Sequence, residues 1–107
     1  MMTSVFTLDD VDGEFSLTFY CGDLPVDRAI SEAGHEPNGY FWEGVAQYVF
    51  EEAADLEFDS EGGMFCAIGD RSSLEELRLA MSGYLTDAGA ITELIKRAEA
   101  DGFEFND

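Results

Sequence analysis

A chain of 107 residues with 24 acidic and five basic side chains carries a formal net charge of −19, yet it is 46% hydrophobic and 13% aromatic. Disordered acidic tails are poor in aromatics, since they cannot bury enough apolar surface to offset chain entropy, so this is a folded protein, and its length suits a single domain over residues 1–107. The charge excludes direct binding to nucleic acid, whose phosphates are held by Lys and Arg, and binding to anionic membrane surfaces; its natural complement is a cationic partner.

Ser4–Asp9 and Phe15–Cys21 favour strand. In the second stretch Phe15, Leu17, Phe19 and Cys21 alternate with Ser16, Thr18 and Tyr20 at period two. Asp12-Gly13 between them is a two-residue hairpin turn signal. Pro25 opens a helix with Val26, Ala29, Ile30 and Ala33 on one face and Gly34 as its left-handed stop. After a connector over 35–38, a second helix is predicted from about Tyr40 to Ala54. Trp42, Val45, Ala46, Val49 and Ala53 form its inner stripe, widened by Phe41, Tyr48 and Phe50.

Leu56–Asp59 alternates again, and Ser60-Glu61-Gly62-Gly63 is a turn. Met64–Ile68 is a nearly continuous apolar strand, which predicts an interior place in the sheet. Ser73, with Glu76 three residues on, reads as a capping box opening a third helix whose apolar positions run from Leu74 to Leu85. A fourth helix spans Asp87–Asp101, with Ile91, Leu94, Ile95 and Ala98 inward and Gly102 as its stop. The order β-β-α-α-β-β-α-α predicts an α+β fold: one antiparallel sheet of about four strands, with helices packed on one side.

The cations are Arg28, Arg71, Arg78, Lys96 and Arg97, and four of them have a carboxylate at helical spacing: Arg28 with Glu32, Arg78 with Glu75, and Lys96 and Arg97 with Glu93. No Lys or Arg occurs from residue 29 to 70. The densest acidic run in that stretch is Glu51, Glu52, Asp55, Glu57, Asp59 and Glu61. The first three are expected at the C-terminal end of the second helix, where the macrodipole disfavours anions. Glu57 and Asp59 alternate outward from Leu56 and Phe58, so the six could form one partner-binding surface. Asp9, Asp10, Asp12 and Glu14 crowd the first hairpin turn; a solvated face explains them as well as a site does.

Chemical motifs are sparse. Placing Gly13 at the sixth position of a calcium loop puts Leu8 first and Phe19 twelfth, where Asp and Glu are needed, so that stretch is a turn. His35 is the single histidine; Glu32 and Glu36 flank it, but it has no second metal ligand and no nucleophile in view. Gly69-Asp70-Arg71-Ser72-Ser73 lacks the glycines and lysine of a phosphate loop. No catalytic residues, cofactor or metal are expected, and the chain does not read as an enzyme. Cys21 and Cys66 sit in apolar stretches and read as reduced thiols. The N-terminal stretch has no signal-peptide pattern and no apolar run reaches membrane-spanning length, so the cytoplasm is the expected location.

The stretch Asn38-Gly39-Tyr40-Phe41-Trp42-Glu43-Gly44-Val45-Ala46 resembles the NGYxWxxxA motif of the bacterial polymorphic-toxin immunity proteins grouped as immunity protein 51. Asp59-Ser60-Glu61-Gly62-Gly63-Met64-Phe65 is similar to that family's DPExxMF-like turn and strand, with Ser60 in place of Pro. The likeness runs from about residue 13 to residue 100. It implies a cytoplasmic α+β protein that binds and neutralises a toxin encoded beside it. It does not make Tyr40 or Trp42 contact residues, and Trp42 reads as a core anchor. An acidic inhibitor suits a basic toxin such as a nuclease, whose site must attract a polyanion. An alternative with the same charge is a nucleic-acid mimic or regulator that binds a host or phage DNA-binding protein. A third, a small acid/base enzyme built on His35, lacks supporting residues.

Overall fold

The computed structural model describes residues 6–11, 13–105 and 107. Among these, strand β1 spans Thr7–Val11 and β2 spans Glu14–Tyr20. Helices α1 (Asp27–Glu32) and α2 (Gly39–Val49) follow. A 3-10 turn over Glu51–Asp55 leads to β3 (Glu57–Phe58) and β4 (Met64–Gly69). Helix α3 (Arg71–Ser82), a 3-10 turn over Gly83–Leu85 and α4 (Ala88–Ala100) complete the order. The strands form one antiparallel sheet in the order β1-β2-β4-β3, so β4 is interior as its apolar run requires. The fold is the α+β arrangement expected from the sequence.

The first hairpin closes on the pair Val11 and Glu14, which leaves a two-residue loop. Gly13 in that loop has φ +87°, the left-handed value the turn needs; Asp12 and the start of the expected first strand, Ser4 and Val5, lie outside the described residues. Alternation along the strands splits the sheet's side chains between two faces. Leu17, Phe19, Phe65 and Ala67 are buried on one face, and register pairs Leu17 with Ala67 and Phe19 with Phe65. Helices α2 and α3 pack on β2 and β4 over this face. Phe19 stacks on Phe65 at 4.9 Å and meets Trp42 edge-on at 5.6 Å, so the fully buried indole is the core anchor expected of it.

Three local expectations are corrected. Helix α2 stops at Val49, short of Ala54, because Phe50 leaves the helix with φ −122° and ψ 109°. The chain re-enters as a 3-10 turn, and the period of three turns Phe50, Ala53 and Leu56 toward the protein. Glu51 and Glu52 therefore occupy the first turn of a new helical segment and not the last turn of α2. Helix α3 starts earlier than Ser73: Asp70 is its N-cap and accepts from the Ser73 N–H at 3.0 Å. Four ion pairs occur among the described residues: Arg28–Glu32 at 3.2 Å, Arg71–Glu75 at 3.3 Å, and two made by His35. Arg78 is thus not Glu75's partner, and Lys96 and Arg97 are not paired with Glu93; Glu75 pairs instead with Arg71, one turn before it.

The chain beyond α4 also belongs to the core's margin. Gly34 (φ +90°) and Gly102 (φ +80°) end α1 and α4 in the same way. The following N–H reaches back to the helix, His35 to Ile30 O at 3.1 Å and Phe103 to Ala98 O at 2.9 Å. The two exits converge. Phe105 stacks on Phe41 at 4.9 Å and meets the His35 ring edge-on at 5.0 Å.

Candidate functional site

The two stretches that carried the sequence resemblance meet in space. Asn38 caps α2, its side-chain oxygen accepting from the Phe41 N–H at 2.9 Å. Gly39 donates its N–H to Gly62 O at 3.2 Å, and a Cβ on Gly39 would collide with the carbonyl oxygens of Glu61 and Met64. One turn on, Glu43 Oε2 accepts from the Ser60 N–H at 3.1 Å. Ser60 Oγ in turn accepts from the Cys66 N–H at 2.9 Å. Helix α2 thereby holds the β3–β4 turn from behind. These residues position a surface; Tyr40 is the large hydrophobic side chain among them that is exposed, at 42%.

On the face of the sheet away from the helices, register aligns side chains in rows across the strands. The first row is Asp9, Ser16, Ile68 and Glu57. The second is Thr7, Thr18 and Cys66, continued by Asp59, whose N–H donates to Cys66 O at 3.0 Å. The third pairs Tyr20 with Met64 and bridges Met64 to Glu61. None of these side chains joins the core cluster. Tyr20 is 79% exposed.

All six carboxylates expected to form a partner surface are exposed, and none makes an ion pair among the described residues. They fall into two groups. Glu57 on β3, and Asp59 and Glu61 on the stretch that continues it alongside β4, stand two residues apart. Glu51, Glu52 and Asp55 sit on the preceding 3-10 turn, beside a groove of about 390 Å³ lined by Phe50, Ala53, Leu56 and Phe58. Asp9, from the other acidic stretch, joins the open face at its far edge, about 14 Å from Glu57 across four strands. The open face therefore draws on both acidic stretches. The signal for it was present in the sequence as the outward set Ser16, Thr18 and Tyr20, and as the apolar residues Met64 and Ile68 that alternate away from Phe65 and Ala67.

All five Lys and Arg residues lie on helices: Arg28 on α1, Arg71 and Arg78 on α3, Lys96 and Arg97 on α4. The strands carry none. Charge is thus segregated by layer, with every cation in the helical layer and an uncompensated anionic field over the sheet.

His35 has a different setting. Its Nε2 lies 3.0 Å from Glu99 Oε2, and its Nδ1 lies 3.2 Å from both carboxylate oxygens of Asp107. Burial would lower its pKa, but the hydrogen bonds and charges of Glu99 and Asp107 outweigh that and raise it above 6.5. Asp107 also accepts from the Glu36 N–H at 2.7 Å. The ring is a clasp joining the α1–α2 connector, α4 and the last residues, and both of its nitrogens are occupied by carboxylates. Among the described residues, no group of three or more His, Cys, Asp or Glu is placed to hold a metal ion. Cys21 and Cys66 are free thiols; burial pushes Cys21 up to about 11. No helix among the described residues is long and apolar enough to cross a membrane.

A family model described as Immunity protein 51 matches residues 6–100. The chain matches no curated protein and no solved structure.

Proposed function

The chain belongs to the Immunity protein 51 family, and on that premise we propose that it binds and neutralises a toxin with a basic surface. The observation that carries the basic character is the charge: −19 overall, with no Lys or Arg from residue 29 to 70. A nuclease suits it best. The site of a nuclease must attract a polyanion, and an acidic inhibitor presents the same charge and gains a fast, salt-sensitive association. The chain acts by occupying a surface of the toxin rather than by chemistry, and it acts in the cytoplasm, where a nuclease would reach its substrate. Glu51, Glu52, Asp55, Glu57, Asp59 and Glu61 supply the acidic contact; their exposure and their lack of ion partners among the described residues support that role.

The test is co-expression with the toxin gene that neighbours the gene for this chain. Protection of the cell, with co-purification of the two products, is the expected result. Failure to protect against any neighbouring toxin product would overturn the reading and would favour the alternative of a nucleic-acid mimic directed at a DNA-binding protein.

A further inference from the structure

The open face of the sheet has a composition unlike a merely solvated surface. Its middle is apolar or small: Tyr20, Met64 and Ile68 with Ser16 and Thr18 between them. Its borders are acidic, with Glu57, Asp59 and Glu61 on one side and Asp9 on the other. Tyr20, the last residue of β2, pairs with Met64 on β4 and presents a nearly bare aromatic ring to water, 79% exposed. Tyrosine is among the side chains that most often anchor protein interfaces, because it offers large area with few rotors and a polar tip. An apolar centre inside a charged rim is also how such interfaces are built.

We propose that this open face is where the toxin docks: the Tyr20–Met64 pair and, about 13 Å along β4, Ile68 receive apolar side chains of the partner, and Glu57, Asp59 and Glu61 receive the lysines or arginines around them. The proposal rests on the reading of the chain as a toxin-binding immunity protein. Charge complementarity selects the occupant. A second copy of this chain would bring two anionic faces together, and like-charge contact works against association. A polyanion or an anionic membrane is repelled for the same reason. A basic protein surface is attracted, and it meets no cation on the strands to repel it.

The backbone beneath adds to the fit. Strands β2 and β4 are each hydrogen-bonded on both sides, and α2 holds the β3–β4 turn through Glu43 and Gly39. The face is therefore ordered before the partner arrives, which lowers the entropic cost of binding. This assigns the centre of the contact to the sheet and leaves Glu51, Glu52 and Asp55 at its periphery.

The experiment measures binding of the purified chain to the product of the neighbouring toxin gene, inactivated so that it can be handled. Four variants are compared with the unaltered chain: Tyr20→Ala, the double change Glu57→Lys with Glu61→Lys, the double change Glu51→Lys with Glu52→Lys, and Leu79→Ala on the exposed side of α3. The two face variants are expected to weaken binding about tenfold or more, and Leu79→Ala less than about twofold. Thermal melts of each variant separate lost contact from lost fold; the altered side chains are all exposed, so melts close to that of the unaltered chain are expected. If the unaltered chain does not bind, the immunity reading itself fails. If it binds and both face variants bind equally well, the docking face is overturned while immunity stands. Loss only on changing Glu51 and Glu52 to Lys would move the contact to the 3-10 turn and overturn it as well.

Discussion

Glu43 Oε2 accepts a hydrogen bond from the backbone N–H of Ser60 at 3.1 Å, so a carboxylate on α2 secures the turn that leads into β4. Together with the Gly39–Gly62 contact, it makes the two recognisable stretches of the sequence into halves of one joint.

Glu43→Ala leaves the part-buried Ser60 N–H without its acceptor and is expected to destabilise the protein by about 1–2 kcal/mol. Glu43→Gln keeps an acceptor oxygen and is expected to lose less. Urea unfolding midpoints measure both; equal losses would assign the effect to charge instead of to the hydrogen bond.

Gly39→Ala forces a Cβ against the carbonyl oxygens of Glu61 and Met64, which are backbone atoms and cannot swing aside. A loss of about 1–3 kcal/mol is expected, as for other overpacked sites. Gly83→Ala is the control. Its backbone is already helical at φ −67° and nothing lies within 4 Å, so a gain of about 0.4–1 kcal/mol is expected from the less flexible unfolded chain.

Phe105→Ala removes a half-buried ring stacked on Phe41, and about 2 kcal/mol of stability should go with it, less than for a fully buried Phe. Gly44→Ala places a Cβ 2.6 Å from Phe105 Cδ1 and should expel the same ring. The double variant is expected to lose less than the sum of the two, because each removes one shared contact.

His35 ties stability to pH. Its folded pKa is raised above 6.5, so its contribution is fully present below 6.5 and fades as pH rises through the raised value. Asp107 is held below 3.8: burial opposes this, but the Glu36 N–H and His35 outweigh it, so its contribution is lost as pH falls through that lowered value. The clasp is therefore strongest between these limits. Unfolding free energies of the unaltered chain and of His35→Gln should differ more at about pH 5.5 than at about pH 8.5. A constant difference across that range would mean the ring acts through packing on Phe41 and Phe105 alone.

Salt should act in opposite directions on the chain and on its complex. A net charge of −19 repels itself, so raising salt from about 20 mM to about 300 mM is expected to raise the melting temperature of the free protein. Over the same range the association rate with a basic toxin is expected to fall. A rate that does not change with salt would remove electrostatic steering from the mechanism.

Strand and helix order were legible because each element buries one face, and burial writes a period into the chain. Phe15, Leu17 and Phe19 showed period two, and Ile91, Leu94, Ile95 and Ala98 showed the helical period. Gly34 and Gly102 marked helix ends, since a left-handed residue there favours glycine whatever lies around it. The end of α2 was not legible: Val49, Phe50, Ala53 and Leu56 are apolar in either helix type, and only packing chose the 3-10 turn.

The sequence by itself determined the net charge, the fold class and the family likeness, which depend on composition, local period and short motifs. Tertiary structure decided the rest. It brought Asp9 into one row with Glu57, residues separated by the whole first half of the chain, because sheet register sets neighbours that sequence distance does not. It separated Glu51 from Glu57 although they are six residues apart, because the chain changes element between them. It also gave His35 its carboxylate partners Glu99 and Asp107, which come from the far end of the chain. Side-chain contacts across elements arise from packing, and packing leaves no local mark in the sequence until the chain is folded.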